Sequence, residues 1–377
     1  MSRRAAAAIA VALAVRLLPV VLAPRLTGDV LRYQRVARHV LDVSWNPYET
    51  RRLYPYPPVW VWVEAGCEWL ARTTGLAFAA LVKLPIIAAD AWIVAHLARA
   101  AGARAAWAYA LHPVGVLISA VHGQFDAIAL LFVLLALRWQ EDGREARAAL
   151  ALAAAIALKS FPVLLLPVFV LSLPRQVRFR FVALATLPVA ALLLPFLVAS
   201  PVAVGRELLA YGGVADFGWI ALVRGLRWLS GHGLERSGDA ESWPTLVPLA
   251  KLIFLAVWAA LVTAWMRAAR RPPLPQASLA VFLAFLVFYG ALSAQYLLWV
   301  VPLGLLRPDR YSLAYAIAAT LALLGFYAFL APDIVFGAAP VPRAAAGFAW
   351  VAGVAAVLVL SAGWLASTVR RSLAPAP

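Results

Sequence analysis

Negative charge and cysteine are both scarce in this sequence. One cysteine in 377 residues, Cys67, excludes an intramolecular disulfide. Charged residues make up only 13% of the chain and hydrophobic ones 64%, which excludes an ordinary soluble globular domain. Seventeen acidic residues stand against thirty-three basic ones, so each carboxylate in an apolar setting asks for a reason. There is no internal repeat of the kind that marks a two-fold transporter, and no low-complexity segment besides alanine enrichment. What remains reads as one polytopic membrane domain over residues 1–377. The formal net charge of +16 belongs to basic turns that bracket apolar runs and set topology, not to a nucleic-acid surface.

Those basic turns orient the chain. Arg3 and Arg4 place the start in the cytoplasm, and Ala5–Ala23 reads as an uncleaved first span, so residues 24–74 form an external loop. Within it, Val30, Leu31, Tyr33, Val36, Ala37, Val40 and Leu41 recur at helical spacing, with Arg32, Arg35, Arg38 and His39 opposite them. That pattern predicts an amphipathic helix on the outer surface. Pro55, Pro57 and Pro58 then open Val59–Leu70, which holds Glu64, Glu68 and three tryptophans and reads as a second interfacial helix. Had it crossed the bilayer, every later basic turn would face outward. A second large external loop covers residues 200–243, and Arg370 with Arg371 leaves the C-terminus in the cytoplasm.

The same rule finds two breaks. The turns at Arg138–Arg147 and Arg175–Arg180 are both cytoplasmic, so Ala148–Leu173 must go in and come back. It has room for two half-length helices of roughly 12 residues, about 18 Å each, broken at Lys159-Ser-Phe-Pro162. Ala277–Leu306 behaves alike and breaks near Ser293-Ala-Gln-Tyr296. Irregular backbone at membrane depth is tolerated where it lines a cavity, so Lys159, Gln295 and Tyr296 are expected to line one cavity opening outward beneath the Asp29 loop. The expected fold is all-α with about twelve crossings, two broken re-entrant pairs among them.

A few residues could carry chemistry. Asp29, at the mouth of the first span, is either a helix N-cap or a general base set against a hydroxyl. His122 and Asp126, at i, i+4, could share a helix face and contact substrate, support the site or hold a metal. Lys159 lies in an apolar run, where a lysine is costly unless paired or facing a polar cavity; it either binds an anionic lipid phosphate or snorkels to the interface. Arg32, Arg35, Arg51 and Arg52 either touch anionic headgroups or recognise phosphate. Tyr54 and Gln124 join them as candidate substrate contacts. Lys83 and Asp90, two turns apart, could pair through a bridging group.

Taken in order, the landmarks resemble a known superfamily. They are Asp29, Asn46-Pro47-Tyr48, Tyr56-Pro57-Pro58, His112-Pro113, His122-Gly-Gln-Phe-Asp126, Lys159-Ser-Phe-Pro162 and Ser293-Ala-Gln-Tyr-Leu-Leu-Trp299. The chain resembles the GT-C polytopic glycosyltransferases over about residues 5 to 306. It looks most like the bacterial glycosyltransferase 87 group and is similar to the catalytic subunit of GPI mannosyltransferase I. The resemblance implies inverting transfer of a hexose, mannose first, from a polyprenyl-phosphate sugar to a glycan or glycolipid hydroxyl. It places the reaction on the external face of the plasma (inner) membrane, among membrane lipids and without nucleic acid. By resemblance, Asp29 deprotonates the acceptor, while Lys159 with nearby Arg or His stabilises the departing phosphate. The GPI enzyme carries a paired Asp-x-Asp. Here the residues two away from Asp29 are Thr27 and Leu31, so the motif is a lone Asp: no metal ligands are assigned, no cofactor is certain, and a divalent metal stays open as an alternative. Two other classes compete: a flippase of sugar-lipids, and a polymerase or ligase that moves a glycan from a lipid diphosphate. Polar residues concentrated at the outer end favour an enzyme over the flippase; the donor, polyprenyl phosphate or diphosphate, separates the transferase from the polymerase or ligase.

Overall fold

Helices account for the regular structure throughout. The computed structural model describes residues 2–22, 27–210, 212–232, 243–269, 271–335 and 341–373. Six helices are long and apolar enough to cross a membrane: Arg3–Leu22, Phe78–Ala100, Arg175–Ala199, Leu246–Arg267, Arg310–Phe329 and Arg343–Leu373. Ala103–Ala110 with Pro113–His122 makes a seventh if the two count as one broken span. Among the described residues no strand forms beyond one isolated bridge. This is an all-α, multi-pass membrane protein. Full-length spans are fewer than the crossings expected, because much of the remaining apolar sequence is cut into shorter helices, including Phe161–Ser172, Leu274–Phe288 and Ala294–Leu306. The expected end of the first span at Ala23, and residues 233–242 of the second loop, lie outside the described residues.

The chain divides into two compact units, Met1–Leu111 with Ile118–Tyr211, and His112–Leu117 with Gly212–Pro377. The first contains α1 (Arg3–Leu22), α2 (Gly28–Asp42), α3 (Trp60–Thr74), α4 (Phe78–Ala100), α5 (Ala103–Ala110), α6 (Asp126–Glu141), α7 (Glu145–Leu158), α8 (Leu166–Ser172), α9 (Arg175–Ala199) and α10 (Pro201–Leu208). The expected amphipathic helix is α2. It buries Val30, Tyr33, Val36 and Ala37 and leaves Arg32, Arg35 and Arg38 exposed. Helix α3 packs against it, and Glu68 fastens the two. Its carboxylate accepts from Gln34 Nε2 at 2.9 Å and Arg38 Nε at 2.8 Å on α2, and from Arg72 Nε at 3.2 Å within α3. At 15 residues, α3 is about 22 Å long, short of a ~30 Å hydrocarbon core.

The first expected break is where the sequence puts it. Helix α7 ends at Leu158, Lys159 is extended (φ −142°, ψ 143°), and a 3-10 turn over Phe161–Leu165 leads into α8. Pro162 has no N–H to continue the helical ladder. The expected bridged pair of Lys83 and Asp90 is not formed. Asp90 takes Arg16, and Lys83 Nζ donates to Val121 O at 2.9 Å.

The second unit contains α11 (Gly218–Leu229), α12 (Leu246–Arg267), α13 (Leu274–Phe288), α14 (Val300–Leu306), α15 (Arg310–Phe329) and α16 (Arg343–Leu373). Small residues let α15 and α16 approach closely: a Cβ on Gly325 would sit 2.2 Å from Trp350 N, and one on Gly353 2.5 Å from Ala322 N. The second expected break follows α13. Phe217 N donates to Leu292 O at 2.8 Å and Leu292 N to Phe217 O at 3.1 Å, before a 3-10 turn over Ala294–Leu298. Gly218 is required there, because its φ is +82° and a Cβ would lie 2.3 Å from Gly290 O.

Candidate active site

The site is built around Asp29, in the first turn of α2. The cap of that helix is Thr27, whose Oγ1 accepts from Val30 N at 3.3 Å and donates to His122 O at 2.7 Å. The capping role that competed for Asp29 is therefore filled by another residue, and its carboxylate points elsewhere. His122 Nε2 donates to Asp29 Oδ2 at 2.9 Å, and Gln124 Nε2 donates to the same oxygen. Arg32 Nη1 stands 3.6 Å from Oδ1. The Asp29 side chain is 24% exposed, against 8% for His122.

Gly123 makes this convergence possible. The π-helical turn Val116–His122 ends there and α6 begins at Asp126. At φ +86° Gly123 reverses the chain, and a Cβ would lie 2.7 Å from Val30 Cγ2 and 2.9 Å from Lys83 Cε. The expected shared helix face for His122 and Asp126 does not exist as a result. His122 reaches Asp29, and Asp126 reaches Lys159.

Lys159 is buried and paired. Its ammonium donates to Asp126 Oδ2, with Gln124 Oε1 at 3.4 Å. The Phe125 ring lies 4.4 Å from Nζ and the Tyr56 ring 5.2 Å, a spacing that favours a cation over an aromatic face. Phe125 stacks on Trp60 at 4.2 Å. Gln124 Oε1 also accepts from Tyr33 OH at 3.0 Å. Since an ammonium only donates, the Gln124 oxygen must face Lys159 and its NH₂ must face Asp29. One buried amide thus joins the Asp29 carboxylate to the Lys159–Asp126 pair.

Burial alone would push the Asp29 carboxyl up. The hydrogen bond and charge of His122, then Arg32 and Gln124, outweigh it and hold it down at about 2. Oδ2 is occupied by two donors, while Oδ1 has Arg32 beside it at the partly exposed edge. The arrangement offers an ionised carboxylate with one oxygen available, next to a buried cation.

Of the residues singled out from the sequence, Asp29, Arg32, His122, Gln124, Asp126 and Lys159 come together. Arg35, Arg51 and Arg52 are exposed in the first unit. Tyr54 is buried and its hydroxyl serves the backbone, donating to Pro57 O at 2.9 Å and accepting from Val61 N at 2.8 Å. Gln295 and Tyr296 belong to the second unit, where Tyr296 packs on Trp299 with ring centroids 4.4 Å apart. Sequence reasoning missed Tyr33, Phe125 and Trp60 as neighbours of the site: it set Tyr33 on the apolar face of a surface helix, Trp60 at the interface, and gave Phe125 no role. It also set Glu64 at an interface, whereas Glu64 is fully buried and burial pushes its carboxyl well above the usual range. Among the described residues no group of three or more His, Cys, Asp or Glu side chains gathers to hold a metal ion.

The family model that matches is Glycosyltransferase family 87, over residues 54–290. His122, Gln124, Asp126 and Lys159 fall inside that stretch, while Asp29 precedes it and Gln295 follows it. Among solved structures, the chain is similar to ArnT from Cupriavidus metallidurans bound to undecaprenyl phosphate. That likeness has 16% identity and a TM-score of 0.46, covering 95% of this chain and 77% of that one. It is also similar to the apo state of the same protein, at 17% identity and a TM-score of 0.34, covering 91% and 72%. No curated protein matches.

Proposed function

This chain belongs to glycosyltransferase family 87, and from that membership we propose that it transfers a hexose, mannose first, from a polyprenyl-phosphate sugar to a glycan or lipid-linked hydroxyl. The reaction is set at the external face of the plasma membrane, with both termini in the cytoplasm. In the proposed step, the acceptor hydroxyl oxygen attacks the anomeric carbon from the side opposite the phosphate. Its proton passes to Asp29 Oδ1 as the new bond forms, and the bond to the phosphate oxygen breaks with its electron pair. The configuration inverts, and one base suffices. A carboxylate held at about 2 is a weak base toward a ground-state alcohol. It becomes adequate once the attacking oxygen gains positive character and the hydroxyl turns acidic.

The departing phosphate needs charge stabilisation rather than a proton. Lys159 and Arg32 supply it in this reading, and Arg35, Arg51, Arg52, Gln295 and Tyr296 are the further proposed substrate contacts, while Tyr54, buried with its hydroxyl on the backbone, is not one. The observation that carries the proposal is the Asp29 carboxylate itself. It is relieved of capping by Thr27, fixed by His122 and Gln124, and open at one oxygen.

Replacing Asp29 with Asn tests it. Asn keeps the shape but cannot take the proton, so transfer should fall by about 10²–10⁴-fold while donor affinity holds. Purified protein with radiolabelled polyprenyl-phosphate mannose, glucose and arabinose gives the readout. Near-normal transfer by Asp29→Asn would remove Asp29 as the base. Transfer only from a polyprenyl-diphosphate donor would reassign the chain to glycan polymerisation or ligation.

A further inference from the structure

Outside the Asp29 network, the turn at Arg51–Arg52 is the feature least explained by its own sequence. Asn46 caps a 3-10 turn over Pro47–Thr50, its Oδ1 accepting from Tyr48 N at 3.1 Å. The turn then runs into Arg51 at φ 48° and Arg52 at φ 66°. Among the described residues these are the only non-glycine positions at positive φ. In that region the Cβ of an L-residue crowds the backbone carbonyl. Glycine or asparagine would adopt it more readily than arginine. Two successive arginines there need something outside the turn to hold them, and both side chains are exposed.

The holder is Glu207 on α10. Its side chain is 2% exposed, and Oε1 accepts the Arg52 backbone N–H at 2.7 Å and Arg206 Nε at 3.0 Å. The other end of the turn is gripped from the same segment. Arg206 Nη2 donates to Tyr48 O at 3.1 Å, Ser200 Oγ donates to Glu49 Oε1 at 3.3 Å, and the Phe196 ring meets Tyr48 edge-on at 5.4 Å. A carboxylate among arginines would ordinarily accept from a guanidinium fork. Here Glu207 accepts from the Arg206 guanidinium and, on the same oxygen, from the Arg52 main chain. Beyond the turn the chain passes to Tyr54, whose ring meets Tyr56 at 5.6 Å, and the Tyr56 ring lies 5.2 Å from Lys159 Nζ. The turn therefore anchors the aromatic wall beside the candidate site.

We propose that Glu207 is a positioning residue that locks the Arg51–Arg52 turn so that the two guanidiniums bind a phosphate carried by a lipid. The guanidinium fork suits phosphate oxygens, and a held turn presents the forks without the cost of ordering the backbone at binding. Naming that phosphate as the glycosyl donor's rests on the transferase reading above; its chemistry does not.

The test is direct binding to the full chain in phosphatidylcholine nanodiscs, with polyprenyl phosphate and uncharged polyprenol as probes. Glu207→Ala should weaken polyprenyl-phosphate binding about tenfold and leave polyprenol binding unchanged. Glu207→Gln keeps an oxygen that accepts the Arg52 N–H, so it should recover affinity to within about threefold. Where transfer is measured, Glu207→Ala should raise the donor KM with kcat within about twofold. Competition by phosphatidylglycerol would assign the turn to bulk anionic headgroups; its absence assigns the turn to the donor. Unchanged polyprenyl-phosphate binding in Glu207→Ala, or an equal loss for polyprenol, overturns the proposal. If Glu207→Ala does not fold, the Arg51→Gln/Arg52→Gln double variant keeps the latch and should show the same selective loss. Full affinity in that variant is equally fatal. Because binding is read without a sugar, a protein that transfers from none of the donors tried still tests the role of Glu207.

Discussion

The first unit buries opposite charges in two places, and it builds them differently. Around Arg16 the partners are all internal. Nε donates to Asp90 Oδ2 at 2.8 Å, Nη1 to Ala110 O at 2.7 Å and Ala12 O at 3.4 Å, and Nη2 to Tyr109 O at 3.3 Å. Tyr109 OH donates to the remaining Asp90 oxygen at 2.6 Å. Neither charged side chain has exposed surface. The network ties α1, α4 and α5 together and leaves nothing for a ligand. Around Asp29 the charges run through Gln124 to Lys159, and the carboxylate at one end keeps an oxygen at the partly exposed edge. An intramembrane ion pair is thus no marker of a site in itself. A saturated pair offsets its own desolvation and stops there. A pair with an unused acceptor beside water can do chemistry.

The largest effect should come from breaking the closed network. Asp90→Leu would strand the Arg16 guanidinium without a counter-charge, a change that typically costs about 3–5 kcal/mol. Thermal unfolding of the detergent-solubilised protein should show it. Arg16→Met with Asp90→Leu should recover most of that loss, since an apolar replacement of matched volume is often close to neutral. Transfer per folded molecule should be unaffected in the double variant. A single variant costing under about 1 kcal/mol would mean that the Arg16 network is not closed in the sense argued.

A second pair of variants asks whether the open network differs in kind. Lys159→Met removes the ammonium that pairs with the buried Asp126 carboxylate, so stability and donor affinity should both fall. Adding Asp126→Asn should restore stability, as neutralising both partners does at Arg16. It should not restore donor affinity, which stays about ten- to hundredfold down if the ammonium makes a charge-assisted bond to phosphate. Recovery of both properties would make Lys159–Asp126 a second structural pair.

Much of the fold was legible because charge is scarce. With so few charged residues, the parity argument from the basic turns pointed to Lys159 and Ser293, and the helices do break there; its count of about twelve crossings exceeds the six or seven full-length spans. The amphipathic helix was legible from the spacing of Val30, Tyr33, Val36 and Ala37. The partners were not. Asp29 meets His122 and Gln124 across 93 and 95 residues, and no local pattern encodes such a contact. The i, i+4 spacing of His122 and Asp126 misled because Gly123 takes a left-handed turn between them. Glu64 misled because tryptophans on α3 suggest an interface, while the face that carries Glu64 packs inward.

The smallest expected effect asks whether the open network also sets the acidity of its carboxylate. Asp29 is held at about 2, below its ordinary 3.8, chiefly because His122 outweighs the upward push of burial. The sign follows. A depressed carboxylate is stabilised in its ionised form at and above its ordinary range, and that stabilisation disappears as pH falls through about 2. The ionised form is also the one that accepts the proton, so wild-type kcat/KM should show no acid loss from Asp29 down to about pH 4. His122→Gln retains a donor but removes the charge. Burial is then opposed only by Arg32 and two neutral amides, and the acid limb should move up toward the ordinary carboxylate range. At pH 4 the variant should lose a few-fold in kcat/KM relative to its own value at pH 7, roughly what protonating half or more of the base gives. The Arg16→Met/Asp90→Leu variant is the control, because a closed network should leave the limb where it was. An acid limb in His122→Gln that stays with wild type would transfer the tuning to Arg32 and Gln124. A limb that moves in the Arg16 and Asp90 variant would show that the two networks are coupled, and the contrast between them would fail.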